Sequence, residues 1–217
     1  MEKQWCFFST NNMTEKEKML AGKIYDCMDE ELFALRIHAS ELCTKYNSLP
    51  ESDPKRKALL KEIFPHSDET LFVRGPIYVD YGRFTTFGKN CFINYNMVIL
   101  DVCPVSIGNS VLFGPNVSII TAVHPLIAEE RKVYFDEEKH YQTDKEYAKP
   151  IKIGNNCWFG SNVTILPGVT IEDNVVVGAG SVVTHNLKSG AIYVGNPAKK
   201  MRDITKEDSI YLKKELW

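Results

Sequence analysis

The chain of 217 residues has no apolar run of membrane-spanning length, which leaves no candidate for a hydrophobic transmembrane helix. Residues 1–8 lack the apolar centre and small-residue cleavage site of a secretory leader, so a reducing cytoplasm is the expected compartment. Basic blocks are missing too. A formal net charge of −2 gives no electrostatic footprint for nucleic acid, and no membrane partner is expected either. The six cysteines (Cys6, Cys27, Cys43, Cys91, Cys103, Cys157) contain no C-x-x-C pair. His124, His140 and His185 show no ligand spacing, so no metal is expected. The rest is ordinary: 44% hydrophobic and 25% charged residues, enough chain for one sizeable core and a small subdomain.

What the chain does have is a period of six. Ile153, Phe159, Ile165, Ile171, Val177 and Val183 are evenly spaced, and Gly154, Gly160 and Gly178 directly follow large residues. Neither a helix nor an alternating strand repeats at six, whereas a coil of short strands and turns does. The same spacing joins Tyr81, Phe87, Ile93 and Ile99, shifts near Cys103-Pro104, and resumes at Ile107, Phe113 and Ile119. Residues 77–187, without one long interruption, make four to five turns of a β-helix. Cys91 and Cys157 fall on repeat positions, where buried thiols serve as small hydrophobes.

Ahead of the coil, Thr14-Glu15-Lys16-Glu17 reads as a capping box. A second helix is predicted over residues 30–46, with Leu32, Leu35, Ala39, Leu42 and Cys43 inward. A third starts at Asp53-Pro54 and ends before Pro65. These helices make a cap over residues 13–70, covering the open end of a β-helix spanning 71–204. Residues 1–12 form an extension without a readable pattern. The period breaks at 122–150, a polar, charged loop beginning near His124-Pro125; loops of that length inside a regular array are functional or disordered. Thr205-x-x-Asp208 predicts a short closing helix over 205–217.

Several local motifs occur in one order: Met13-Thr14-Glu15, Leu20-Ala21-Gly22-Lys23, Asp80-Tyr81-Gly82, Asn94-Tyr95-Asn96, His124-Pro125, Ile153-Gly154-Asn155-Asn156-Cys157-Trp158-Phe159-Gly160 and Gly195-Asn196-Pro197-Ala198. Together they resemble the maltose/galactoside O-acetyltransferases of the hexapeptide-repeat acyltransferases, over nearly the whole chain. The resemblance implies a left-handed parallel β-helix, a homotrimer with sites between subunits, acetyl-CoA as co-substrate without a required metal, and a sugar hydroxyl as acceptor. It also implies that Met13 is the customary start. Acceptors of a different kind, an amino sugar or an antibiotic hydroxyl, and a structural or metal-binding β-helix remain as alternatives.

His124 is the expected catalytic base, since an alcohol attacks a thioester well only as its proton is removed, and an imidazole does this near neutral pH. Asn94 stands second in its hexapeptide, so its side chain is expected outward, either satisfying a turn or, as the resemblance implies, orienting the acceptor. The resemblance makes the backbone N–H of Ser161 an oxyanion donor. It lines the CoA groove with Ala179, Thr184 and His185, and sets Lys199 and Arg202 toward the phosphates, where a solvated basic run is the other reading. Trp158 is either a wall of the acetyl pocket or packing at the core edge. The resemblance makes Asp80 an acceptor contact, and an ionised carboxylate, which only accepts hydrogen bonds, can take a sugar hydroxyl. By the resemblance two acidic positions of the family fall on Cys27 and Val102, so either the register slips by one onto the neighbouring Asp26 and Asp101, or the sugar is held differently.

Overall fold

Each turn of the chain lays down three short strands, and successive turns stack them into three sheets. This computed structural model describes residues 13–216; the N-terminal extension over residues 1–12 lies outside them. Face A holds Phe72–Val73, Phe92–Ile93, Leu112–Phe113, Trp158–Phe159, Val176–Val177 and Ala191–Val194, all parallel. Face B holds Ile77–Val79, Met97–Leu100, Ser118–Ile120, Thr164–Ile165 and Val182–Val183. Face C holds Thr85–Phe87, Val105–Ile107, Ile151–Ile153 and Thr170–Ile171. The chain visits A, B and C in rotation, which is a parallel β-helix.

The six-residue period arises because one large residue per strand points inward and the intervening corner turns the chain. Phe87, Phe113, Phe159, Ile93, Ile119 and Ile165 are all fully buried. Phe113 stacks on Phe159 at 5.0 Å between ring centroids, Phe87 meets Phe113 edge-on at 6.4 Å, and Phe64 meets Phe87 at 5.2 Å. Each such ring buried contributes about 1.5–3 kcal/mol, and this column ties the cap to the coil. At the corners, Asn90, Asn96, Asn116, Asn156, Asn162 and Asn174 take φ of 55–59°, the left-handed region that Asn tolerates better than most residues.

The coil starts at Phe72–Val73, inside the expected span of 71–204 and one strand ahead of the periodic run read from Ile77. Strand partners in the early turns are 20 residues apart (Phe72 with Phe92, Ile77 with Met97, Thr85 with Val105), against 18 later (Trp158 with Val176). The two additional residues sit at the corner between faces B and C, at 100–104, where the shift near Cys103-Pro104 is expected, and also at 80–84, where none is. Tyr81 therefore leaves the coil core, despite fitting the period, and packs in a second cluster with Met19, Tyr25, Leu32, Val102, Cys103 and Ala148.

This cluster fastens the cap. Helix α1 (Glu15–Leu20) carries the capping box, with Thr14 Oγ1 accepting from Glu17 N and Glu17 Oε2 accepting from Thr14 N. Helix α2 (Glu30–Ser48) buries Leu32, Ala39, Leu42, Cys43 and Tyr46, with Leu35 partly buried. Helix α3 (Lys55–Ile63) starts where Asp53 Oδ1 accepts from Lys55 N at 2.8 Å. The long loop is rooted in an antiparallel sheet in which Lys145–Ala148 lies between Tyr25–Asp26 and Ala122–Val123, and its outer part folds as a hairpin of Tyr134–Asp136 and Tyr141–Thr143. At the C-terminus the Thr205–Asp208 capping box forms, but single 3₁₀ turns follow instead of an α-helix. Ser209 is extended, with ψ 127°, and interrupts the helical backbone after one turn.

Asp101 holds the B/C corner. It is fully buried, Oδ1 accepting from the N–H groups of Tyr81 and Gly82, and Oδ2 from Phe84 N–H and the Thr85 hydroxyl. Burial pushes its carboxyl up to about 7, against these four donors. Asp101→Ala strands the donors in the interior, a loss of about 3 kcal/mol or more. The expected result is a fall of roughly 6–12 °C in melting temperature, measured by calorimetry.

Candidate active site

The strand Ala122–Val123 ends at His124 because Pro125 disfavours helical backbone in the residue before it and cannot donate to a ladder. The chain leaves the coil here, at the B/C corner, and comes back through Lys145–Ala148. Alternate residues of a strand share a face, and the loop's return places Asp144 and Glu146 together beside His124. Asp144 Oδ2 lies 3.3 Å from His124 Nδ1, and Glu146 Oε1 lies 3.8 Å from Nε2. The imidazole, about half exposed, stands between two mostly buried carboxylates.

The N-terminal strand completes this wall. Tyr25 is paired opposite Glu146, and its hydroxyl donates to Glu146 Oε2 at 2.6 Å. Cys27 Sγ donates to Asp144 Oδ1 at 3.2 Å. Burial, with the two carboxylates nearby, pushes the Cys27 thiol up to about 11. The family-type acidic position thus carries a neutral thiol turned toward the group that flanks His124.

The three acidic residues expected at the acceptor pocket have separate fates. Asp80, at the same B/C corner, is half-buried and accepts no hydrogen bond from any described side chain; burial raises its carboxyl to about 6, with Arg36 pulling it down and Glu146 pushing it up. Asp26 serves the loop: Tyr141 Oη donates to it at 2.6 Å, Thr143 Oγ1 at 2.7 Å and Met28 N at 3.0 Å, and Lys139 forms an ion pair with it. Asp101 is the buried corner clamp described above and does not reach the pocket. A carboxylate with several backbone and hydroxyl donors within reach is claimed by them first.

Asn94 and Ser161 lie elsewhere. Both follow a face A strand, so they occupy the A/B corner together with Ala179, whereas His124, Asp80, Thr184 and His185 belong to the B/C corner. Asn94 Oδ1 accepts from Tyr95 N at 2.9 Å, and its amide N–H₂ has no acceptor among the described residues. The Ser161 N–H has no acceptor among the described residues. The corner is narrow: a Cβ on Gly160 would stand 2.7 Å from Ala179 N. Trp158 projects outward from face A and is 54% exposed. Thr184 Oγ1 contacts His185 Nδ1 at 3.2 Å. Lys199 is exposed on Lys199–Asp203, a strand antiparallel to Ala191–Val194, while Arg202 is held by Asp208 through two bonds of 2.7 Å.

Asp144 and Glu146 escaped the sequence reading. The available signal was their spacing of two just ahead of the return to the period, a strand pattern hidden in a polar loop.

The hairpin latch on Asp26 is acid-sensitive. Partial burial raises this carboxyl, but the bonds from Lys139, Tyr141, Thr143 and Met28 N outweigh it and hold the group at about 2. A depressed carboxylate contributes stability above its unfolded value, near 4, which is lost as pH falls toward 2. Hydrogen exchange of the 134–143 amides should therefore accelerate between about pH 4 and 2 beyond the intrinsic rate, and Asp26→Asn should reproduce the loosening at neutral pH.

Residues 18–68 match the maltose acetyltransferase hexapeptide capping motif, and residues 150–185 match the hexapeptide repeat of succinyl-transferase. The galactoside O-acetyltransferase of Escherichia coli K12 is 38% identical over 205 residues, covering 94% of this chain and 96% of that protein. Among solved structures, a maltose O-acetyltransferase from Clostridium difficile 630 superposes with a TM-score of 0.80 at 40% identity, over 90% of this chain and all of that one. A galactoside acetyltransferase in complex with coenzyme A gives 0.82 at 38% identity, over 91% of this chain and 94% of the other. The helical cap, the β-helix and these likenesses place this chain in the maltose/galactoside O-acetyltransferase family of hexapeptide-repeat acyltransferases.

Proposed function

We propose that this protein transfers the acetyl group of acetyl-CoA to a hydroxyl of a sugar, with His124 as general base. The observation that carries the reading is His124 at the coil exit, flanked by Asp144 and Glu146. Asp144 beside Nδ1 favours the tautomer with its proton there, leaving the Nε2 lone pair for the acceptor hydroxyl. As that hydroxyl oxygen bonds to the acetyl carbon, its proton passes to Nε2, and the carboxylates offset the charge the ring takes on. The Ser161 N–H is suited to the oxyanion, being a backbone donor without an internal partner. When the carbon–sulfur bond breaks, the imidazolium returns the proton to the departing thiolate. Asp80 accepts from a second hydroxyl of the sugar, and the free amide of Asn94 orients the reacting groups. Ala179, Thr184 and His185 line the coenzyme's path past Trp158, and Lys199 and Arg202 meet its phosphates.

The two corners make this a reaction between subunits. Asn94 and Ser161 stand at the A/B corner and His124 at the B/C corner, so a homotrimer in which the A/B corner of one copy meets the B/C corner of the next completes each site. The outward residues support that assembly. Face A presents Phe72, Phe92, Leu112, Trp158, Val176 and Ile192, whereas face C presents Thr86, Ser106, Lys152 and Thr170. Leu126, 89% exposed beside His124, supplies an apolar contact on the loop. A cytoplasmic location suits a supply of acetyl-CoA.

His124→Ala is expected to keep CoA binding while turnover falls by about 10²–10⁴-fold in a thiol-release assay; near-normal turnover would end the reading. Asn94→Ala is expected to be deficient as well. Co-refolding the two variants in equal amounts should restore about a quarter of the sites by random assortment, because each defect lies in a different subunit's corner. No recovery beyond either parent would refute the shared site.

A further inference from the structure

A second chemistry is available where the cap meets the loop. Cys27 Sγ, one oxygen of Asp144 and one of Glu146 all lie within 4.8 Å of one another, where the paired strands Tyr25–Asp26 and Lys145–Ala148 meet. His124 stands just outside this group, its Nε2 3.8 Å from Glu146 Oε1. These are the thiolate, carboxylate and imidazole donors that zinc takes together, and the thiol sets the cluster apart from the all-oxygen sites of calcium or magnesium. In a tetrahedral zinc site, bonds of about 2.0–2.3 Å put ligand atoms roughly 3.3–3.8 Å apart. The Cys27–Asp144 separation of 3.2 Å already approaches that spacing. A side-chain adjustment of about an ångström would bring in Glu146.

Charge points the same way. No Lys or Arg side chain bonds to Asp144 or Glu146 among the described residues; their partners are the neutral Cys27 and Tyr25 and the ring of His124. Two carboxylates are thus gathered without a fixed cation. Supports are in place around them: the Tyr25 hydroxyl bonds Glu146 Oε2 and so orients the carboxylate for a ligand at Oε1. The half-exposed ring of His124 marks the open side from which an ion would enter.

We infer that Cys27, Asp144 and Glu146 form an inhibitory Zn2+ site, with His124 as fourth ligand. The Zn–S bond forms as the thiol proton leaves to solvent. Ligation occupies the Nε2 lone pair of His124, so the metal blocks the proposed base instead of assisting it. The inference of inhibition rests on the role given to His124, whereas binding of the metal does not.

The two are separable by experiment. Purified full-length protein is titrated with Co2+, whose thiolate ligation gives an ultraviolet charge-transfer band, and then with Zn2+ to displace it. Wild type should show that band at one equivalent, and Cys27→Ser should lose it while keeping its circular dichroism. In parallel, each protein's turnover is followed against free Zn2+ relative to its own metal-free rate. Half-inhibition in Cys27→Ser should need at least about tenfold more Zn2+ than wild type. Absence of the Cys27-dependent band overturns the site, whatever the activity. A band without inhibition overturns the inhibitory role and leaves the metal site; equal inhibition of both proteins assigns the effect to other ligands and overturns it too. A wild type that is catalytically inactive yet shows the band would refute the acetyltransfer reading alone.

Discussion

One corner of the coil carries the constraints that the chemistry depends on. Going from face B to face C, the early turns insert two additional residues, and the exposed peptide groups this creates need partners. Asp101 supplies them for the corner at Tyr81, Gly82, Phe84 and Thr85. One turn further, Thr121 accepts from Cys103 N and donates to Leu100 O, fixing the backbone just ahead of His124. Asp80 and His124 thereby leave face B at the first and third levels of one hydrogen-bonded column, with the Asp101 corner between them. A buried network that is fully satisfied is stiff, and a general base must hold its geometry to be useful.

The cap is part of this arrangement as well as a cover. Its strand Tyr25–Asp26 joins the loop's return strand, so Tyr25 bonds Glu146 and Cys27 bonds Asp144. Next to them, Asp26 ties down the hairpin. Three consecutive residues of one short segment thus hold two flanking carboxylates and the outer loop. The donors that share this pocket with His124 come from residues 25–27, 80 and 144–146, distant in the chain and joined by strand pairing. In the proposed readings, metal ligation and acid–base chemistry draw on the same atoms there.

Much of the architecture was legible in the chain itself. A period of six with glycine after the large residue has few physical solutions, and the capping box at Thr14 follows from local hydrogen bonding. Tyr81 was misplaced because burial in a neighbouring cluster obeys the same hydrophobic pattern as burial in the coil. The closing helix at Thr205 forms as short 3₁₀ turns, a detail that a capping box, which reports only its first turn, does not carry. Asp26 and Asp101 carry the right chemistry for a sugar contact, yet nearby donors claim them, and no spacing in the sequence reveals that competition.

By itself, then, the sequence determined the repeat, the capped end, the break at His124 and the family, since each is written in residues that are close along the chain. Only the tertiary structure decided which carboxylates flank that histidine, which acids are spent on backbone groups, and that Asn94 and Ser161 lie on a different corner from His124. Those outcomes depend on strand pairings between residues 25–26 and 145–146 and on the rotation of the coil. Contacts of that range are settled by packing and by which donor lies nearest, and no local pattern records either.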